Sequence, residues 1–319
     1  MNKQRKSTIS KNALSEIRTY RLAGYTQKVL FEGLYKTNPI ILTLHGGPGI
    51  PIPLGVGCRG MFPQLTDKFI LICWDQLGCG ANNHLLPEHL TIDSFAEMTE
   101  ELILLIKEEF PENPLILFGT SWGSILAAKA AERCPSLIDQ VIVYGQVSKK
   151  PFFNQVTFQA LEQAQIPAKK QQLLKKIQLT PTYKKSEGVK ISQWVSKYTD
   201  GYYGENEDKT EMKALSLGLL RSPDYRIRDF VGLFLNGYLT NKRLWRELFQ
   251  IDLTETFQSI RVPYRIIQGA CDLVTPTEMI SELLSTTENP YIQLEIINGL
   301  GHIPDLKNIE HIFKKIDFS

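Results

Sequence analysis

The sequence predicts an α/β fold: a mostly parallel central sheet flanked by helices, with a block of helices inserted late in the chain. Three observations predict it. Six short runs of Ile, Leu, Val and Phe are apolar without alternation, the pattern of strands buried on both faces. Segments of helical period stand between them, which implies βαβ units. The alternation then breaks after Gly145, and strand signals resume only at Val262.

Taken in order, Ile17–Leu22 and Thr26–Glu32 read as an antiparallel entry hairpin. The buried strands are Ile40–Leu44, Phe69–Trp74, Leu115–Phe118, Gln140–Tyr144, Val262–Gln268 and Ile292–Ile297. Between Thr91 and Phe110, Ile92, Phe95, Met98, Leu102, Ile106 and Phe110 recur near helical spacing, with acids early in the run. Ser121 to Arg133 is Ala-rich and stops just before Pro135, as a helix should. From about Val147 to Gln250 the pattern is helical, interrupted by polar loops near Thr180–Gly188 and Thr199–Lys209. The chain therefore divides into a core, residues 1–146 and 251–319, and a helical cap, residues 147–250. The cap carries 18 Lys and Arg against 10 Asp and Glu, a charge of +8 that leaves −6 for the core. Solvated helix faces account for that asymmetry.

Composition narrows the function classes. The 319 residues suffice for one large domain or for a core with an insertion. A net charge of +2 is too balanced for binding nucleic acid through its phosphates. Cys58, Cys73, Cys79, Cys134 and Cys271 are odd in number and form no C-x-x-C pair, which argues for free thiols in a reducing compartment rather than a zinc site. The basic start MNKQRKSTIS is followed by no apolar stretch, and no run is long enough to span a bilayer. The expectation is a soluble cytoplasmic protein without metal or cofactor, acting on a small molecule or short peptide and not on nucleic acid or membrane.

The strongest local motif is Gly119-Thr120-Ser121-Trp122-Gly123, set between a strand and a helix. Glycines allow a sharp turn that would force larger side chains into collision, and the turn pushes Ser121 out above a helix N-terminus. That terminus favours the anion formed in acyl transfer. A serine hydroxyl is a weak nucleophile without a base in hydrogen-bond reach. Among the five histidines, His45 lies in a Gly-rich turn, His84 and His89 in a polar loop, and His311 inside a final helix. His302 follows the last strand in the loop Asn298-Gly299-Leu300-Gly301-His302, which opens at the same carboxyl edge as Ser121. Asp272 follows Val262–Gln268 through Gly269-Ala270-Cys271 and reaches that edge too, where it can orient an imidazole. The rival position after Gln140–Tyr144 reads Gly145-Gln146, and glutamine carries no charge. Asp75 also ends a strand, but its setting suggests loop bracing.

A tetrahedral oxyanion needs donors. His45-Gly46-Gly47-Pro48-Gly49 ends a strand and leaves N–H groups bare, so the N–H groups of Gly47 and Trp122 are the expected oxyanion hole, with Gly46 beside the substrate. No G-K-[ST] follows, so this is not a phosphate loop.

Together, HGGPG at 45–49, WDQLGCG at 74–80, GTSWGS at 119–124, GACDLVTP around Asp272 and Gly301-His302 resemble the prolyl iminopeptidase-like branch of the α/β-hydrolases, peptidase family S33. The order Ser121, Asp272, His302 is the order of that fold. The resemblance implies an α/β-hydrolase core, a helical cap over the active site, and removal of an N-terminal residue, often proline, from short peptides. It also implies cap carboxylates that hold the substrate's ammonium. Glu205 and Glu207 are the first candidates, with Asp208, Glu211, Asp224 and Asp229 behind them. Leu77 stands where many members carry arginine, and with the basic cap this keeps a carboxylesterase or lactonase as the alternative. A non-catalytic ligand-binding protein is a third reading, opposed by the complete Ser, His and Asp set.

Overall fold

The structure is a computed structural model that describes residues 3–180, 183–205, 209–304 and 312–313, the side chains of 209–214 excepted. One eight-stranded sheet runs through it in the order β1-β2-β4-β3-β5-β6-β7-β8. These strands are β1 Leu14–Leu22, β2 Tyr25–Gly33, β3 Ile40–Leu44, β4 Ile70–Trp74, β5 Leu115–Thr120, β6 Gln140–Tyr144, β7 Tyr264–Gly269 and β8 Ile292–Ile297. β1 pairs antiparallel with β2, and β2 with β4; every pairing from β4 to β8 is parallel. The entry hairpin and all six apolar runs are thus strands, within a few residues of the expected bounds.

The absence of polar alternation has a direct cause. In β3, Ile40, Leu42 and Leu44 enter one core cluster while Ile41 enters the other, so both faces of the sheet are covered. β8 departs from expectation. Its apolar run predicts burial, yet every residue in it is half-buried or exposed, with Gln293 and Ile296 exposed. It is the edge strand, paired on one side only by β7, so its residues stay partly open to solvent although Ile292 and Leu294 pack on one core cluster and Ile297 on the other.

The helices are α1 Lys3–Lys11, α2 Pro63–Thr66, α3 Ile92–Glu109, α4 Trp122–Arg133, α5 Gln155–Gln163, α6 Ala168–Gln178, α7 Lys185–Tyr198, α8 Lys209–Leu220, α9 Ile227–Val231, α10 Lys242–Gln250, α11 Thr254–Ser259 and α12 Thr277–Thr287. α3 starts where Thr91 and Ser94 form a reciprocal cap, and its apolar stripe is buried. α5 to α10 all fall between β6 and β7. The loop expected through Gly188 is shorter than expected, because α7 already begins at Lys185. Glu187 accepts the Lys184 N–H at 2.9 Å and caps that end. Gly188 then lets α7 lie close on α10, since a Cβ there would stand 2.4 Å from the Phe249 ring. No described helix is long and apolar enough to cross a membrane.

Candidate active site

Four loops leave the carboxyl ends of neighbouring parallel strands: that of His45 after β3, Ser121 after β5, Asp272 after β7 and His302 after β8. In open α/β sheets this edge is where ligands bind. The strand order therefore brings together, at one rim, residues far apart in sequence, Ser121 and His302 among them at a separation of 181 positions.

Ser121 occupies the turn between β5 and α4. It is the helix N-cap, with φ 48° and ψ −117°, rather than the first helical residue the sequence suggested. Its hydroxyl makes no capping bond. Both flanking glycines are compelled by space: a Cβ on Gly119 would meet the Gly123 carbonyl at 2.8 Å, and one on Gly123 the Leu44 carbonyl at 1.8 Å. The strained backbone is held by the Ser121 N–H donating to Tyr144 O at 3.0 Å, and by Ser124 N–H and hydroxyl both donating to Ser121 O.

The freed hydroxyl lies 2.8 Å from His302 Nε2, and His302 Nδ1 lies 2.8 Å from Asp272 Oδ2. Asp272 and His302 are buried, while Ser121 keeps partial exposure. Asp272 is held by four further donors: Val274 and Thr275 N–H on Oδ1, and the Gln268 amide and Thr275 hydroxyl on Oδ2. The imidazole is fixed from behind by Gly145, whose missing Cβ would stand 3.1 Å from His302 Cε1. Its backbone is pinned through the His302 N–H to Gly201 O at 3.2 Å. This arrangement can take a proton from a hydroxyl, hold it as an imidazolium beside a carboxylate, and return it to a leaving group.

Gly46 packs directly on the Ser121 turn, with its Cβ position 3.3 Å from Ser121 Cβ and 3.2 Å from Thr120 O. Gly47 follows at φ +120°, a conformation open to glycine. Among the described residues, neither the Gly47 nor the Trp122 N–H is taken up by another hydrogen bond. The loop and the turn are tied together: Trp122 Nε1 donates to Gln76 Oε1 at 2.7 Å, and the Gln76 N–H donates to His45 Nε2 at 3.0 Å. His45 Nδ1 lies 3.0 Å from Gly46 O and so carries the proton. Burial pushes the His45 imidazole down to about 4, which keeps it neutral.

Asp75 is the brace its setting suggested. It accepts the Val56 and Ala81 N–H groups and the Tyr225 hydroxyl, and burial pushes its carboxyl up to about 6 against those three donors. Of the proposed cap carboxylates, Asp224 pairs with Arg59, and Asp229 accepts the Arg226 N–H that opens α9. Glu205 lies on the His302 loop, its N–H donating to Gly299 O at 3.0 Å. Glu207, Asp208 and His311, and the side chain of Glu211, lie outside the described residues.

Gln268, Thr275, Gln76 and Gly145 belong to this site and were not singled out in advance. The signal for Gln268 was present: a wholly buried amide at the end of an otherwise apolar strand needs partners. Gln146 beside Gly145 does not face the imidazole; it bonds Gln268, Val147 and Tyr264.

Comparison with known proteins adds the following. A family model described as alpha/beta hydrolase fold matches residues 39–306. "Probable aminopeptidase YbaC" of Bacillus subtilis (strain 168) is 26% identical over 303 residues, 93% of each chain. "Proline iminopeptidase" of Lactobacillus acidophilus is 24% identical over 268 residues, 79% of this chain and 81% of the relative. The crystal structure of proline iminopeptidase from Mycobacterium smegmatis superposes with a TM-score of 0.59 at 17% identity, covering 94% of this chain and 95% of that one.

Proposed function

The chain belongs to the α/β-hydrolase fold family and is a hydrolase, and on that premise we propose that it cleaves amide bonds as a serine aminopeptidase acting on short peptides, proline iminopeptidase-like in its preference. The observation that carries this reading is the unbroken line of contacts from Ser121 Oγ through His302 to Asp272, two steps of 2.8 Å each. In the proposed reaction Ser121 attacks the scissile carbonyl as His302 takes its proton. The oxyanion forms beneath the N–H groups of Gly47 and Trp122, at the positive end of α4. His302 gives its proton to the departing amine, and water then repeats the sequence on the acyl-Ser121 ester. Asp272 holds the imidazole in register.

We assign residues 147–250 to a cap over the core of 1–146 and 251–319. In support, Asn236 donates to Gly49 O at 2.9 Å beside the oxyanion loop, and Tyr202 lies with its ring centroid 6.1 Å from that of His302. Glu205 is the assigned partner of the substrate ammonium. The five unpaired cysteines support a cytoplasmic setting.

The test is turnover of proline-p-nitroanilide, with Ser121→Ala and His302→Gln each expected to reduce it by roughly 10⁴. N-acetylation of the substrate should abolish it. One observation favours a second reading, carboxylesterase or lactonase: Asp224 and Asp229 are engaged with Arg59 and Arg226, away from any ammonium. Hydrolysis of p-nitrophenyl esters alone, indifferent to a free amine, would select it.

A further inference from the structure

A cavity of about 460 Å³ opens between α6, α7 and the turn after α7, lined by Lys170, Ser192, Gln193, Trp194, Lys197 and Tyr202 among others. No carboxylate is among its lining residues. Its two ammonium groups converge on one ring: Lys170 Nζ lies 4.8 Å and Lys197 Nζ 5.5 Å from the Tyr198 centroid. Lys170 also donates to the Tyr198 hydroxyl at 2.9 Å and thereby holds that phenol below its ordinary value. Among the described residues, neither lysine forms an ion pair. The half-buried Lys170 and the exposed Lys197, the neutral side chains of Ser192, Gln193 and Ser196, and the lack of a carboxylate in the lining make a receptor for a negative group.

The cavity is fixed relative to the chemistry. Tyr202, which forms part of its wall, packs on His302, and the backbone joins the two segments: His302 N–H donates to Gly201 O, and Ile303 N–H to Tyr202 O at 3.0 Å. In amide cleavage the leaving nitrogen takes its proton from the imidazole, so the leaving fragment departs on the His302 side. An extended chain advances roughly 3.3–3.6 Å per residue. A leaving fragment of one or two residues is therefore roughly 3.3–7 Å long, comparable to the 6.1 Å between the His302 and Tyr202 ring centroids.

We infer that this cavity binds the C-terminal carboxylate of the leaving peptide through Lys170 and Lys197, selecting short peptides with a free C terminus. This rests on the peptidase reading above and narrows it to a substrate class.

The test is calorimetric titration of the full-length Ser121→Ala protein with prolyl-glycyl-glycine and with its C-terminal amide. The acid should bind roughly tenfold more tightly or better. In a Ser121→Ala protein that also carries Lys170→Met and Lys197→Met, that ratio should fall to near one. Salt supplies a check that needs no lysine substitution, because the advantage of the acid should shrink as ionic strength rises. Equal binding of acid and amide, including no binding of either, overturns the inference, as does a preference that survives both lysine substitutions. The peptidase reading fails separately, on wild-type protein with proline-p-nitroanilide, a substrate that has no carboxylate.

Discussion

Gln268 donates its side-chain amide to Asp272 Oδ2 at 2.9 Å, the same oxygen that lies 2.8 Å from His302 Nδ1. The other end of that amide accepts the Gln146 N–H at 3.1 Å, so one wholly buried side chain ties the end of β6 to the carboxylate behind the imidazole. Gln268→Met keeps the volume and removes both bonds, together with the one the same amide donates to Thr275 O. It should lower kcat roughly tenfold with little change in KM, since it loosens the orientation of the acid and not the binding of substrate. The orphaned Gln146 N–H should cost about 1–3 kcal/mol of stability. Steady-state kinetics with a denaturation curve check both, and a pure KM effect would refute the positioning role.

Gly145 supplies a second positioning test, this time on the imidazole. It sits at φ +66° with its Cβ position 3.1 Å from His302 Cε1 and 3.2 Å from Nδ1. An alanine is strained in that conformation and also presses on the ring. Gly145→Ala should reduce kcat by roughly 10–100-fold through displacement of His302 and lower stability by about 1 kcal/mol. Ser121 labelling by a fluorophosphonate should slow in parallel. Unchanged labelling would mean that the ring has not moved.

The parts of this site that were legible in the sequence are those with a local signature. Ser121 is announced by two glycines that the close approach of Leu44 O and Gly123 O demands, and His302 and Asp272 follow apolar strands within a few residues. The strand runs were legible because burial on both faces leaves a chain no room for alternation. The exposure of β8 was not, because which strand stands at the edge is a property of the order of strands, and each strand's own residues carry no record of its neighbours. What Gln268, Thr275 and Gln76 do was illegible for a related reason, although the amide of Gln268 at the end of an apolar strand signals a need for partners. Their importance lies in partners reached across loops: Asp272 for the first two, and Trp122 with His45 for the third. The carboxylates between β6 and β7 show the same limit, since only packing reveals that Asp224 is spent on Arg59.

Glu205 lies at Gly299, with its carboxylate oxygen 3.5 Å from the Cβ position there, on the loop that carries His302. If it holds the substrate's ammonium, Glu205→Gln should raise KM for proline-p-nitroanilide by roughly tenfold, the value of one charge-assisted bond. An N-acetylated or ester substrate should not feel the change. Equal effects on charged and uncharged substrates would remove Glu205 from that role.

His45 and Asp75 directly follow the paired strands β3 and β4 and should pull the pH dependence of stability in opposite directions. Burial lowers the His45 imidazole from 6.5 to about 4, so the folded chain binds fewer protons there than the unfolded one. That contribution is complete above pH 6.5 and is lost as pH falls toward 4, about 3 kcal/mol in all. Burial raises the Asp75 carboxyl from 3.8 to about 6, so here the folded chain binds more protons. That contribution is complete below pH 3.8 and is lost as pH rises toward 6, again about 3 kcal/mol. The two slopes nearly cancel between about pH 4 and 6. Removing one partner should therefore expose the other. Relative to wild type, Asp75→Asn should gain stability as pH rises across that window, and His45→Gln should lose it. All other groups titrate alike in the three chains and drop out of the differences. Urea midpoints taken at both ends of the window measure the slopes, and parallel curves for all three chains would show that neither buried group is shifted as its surroundings demand.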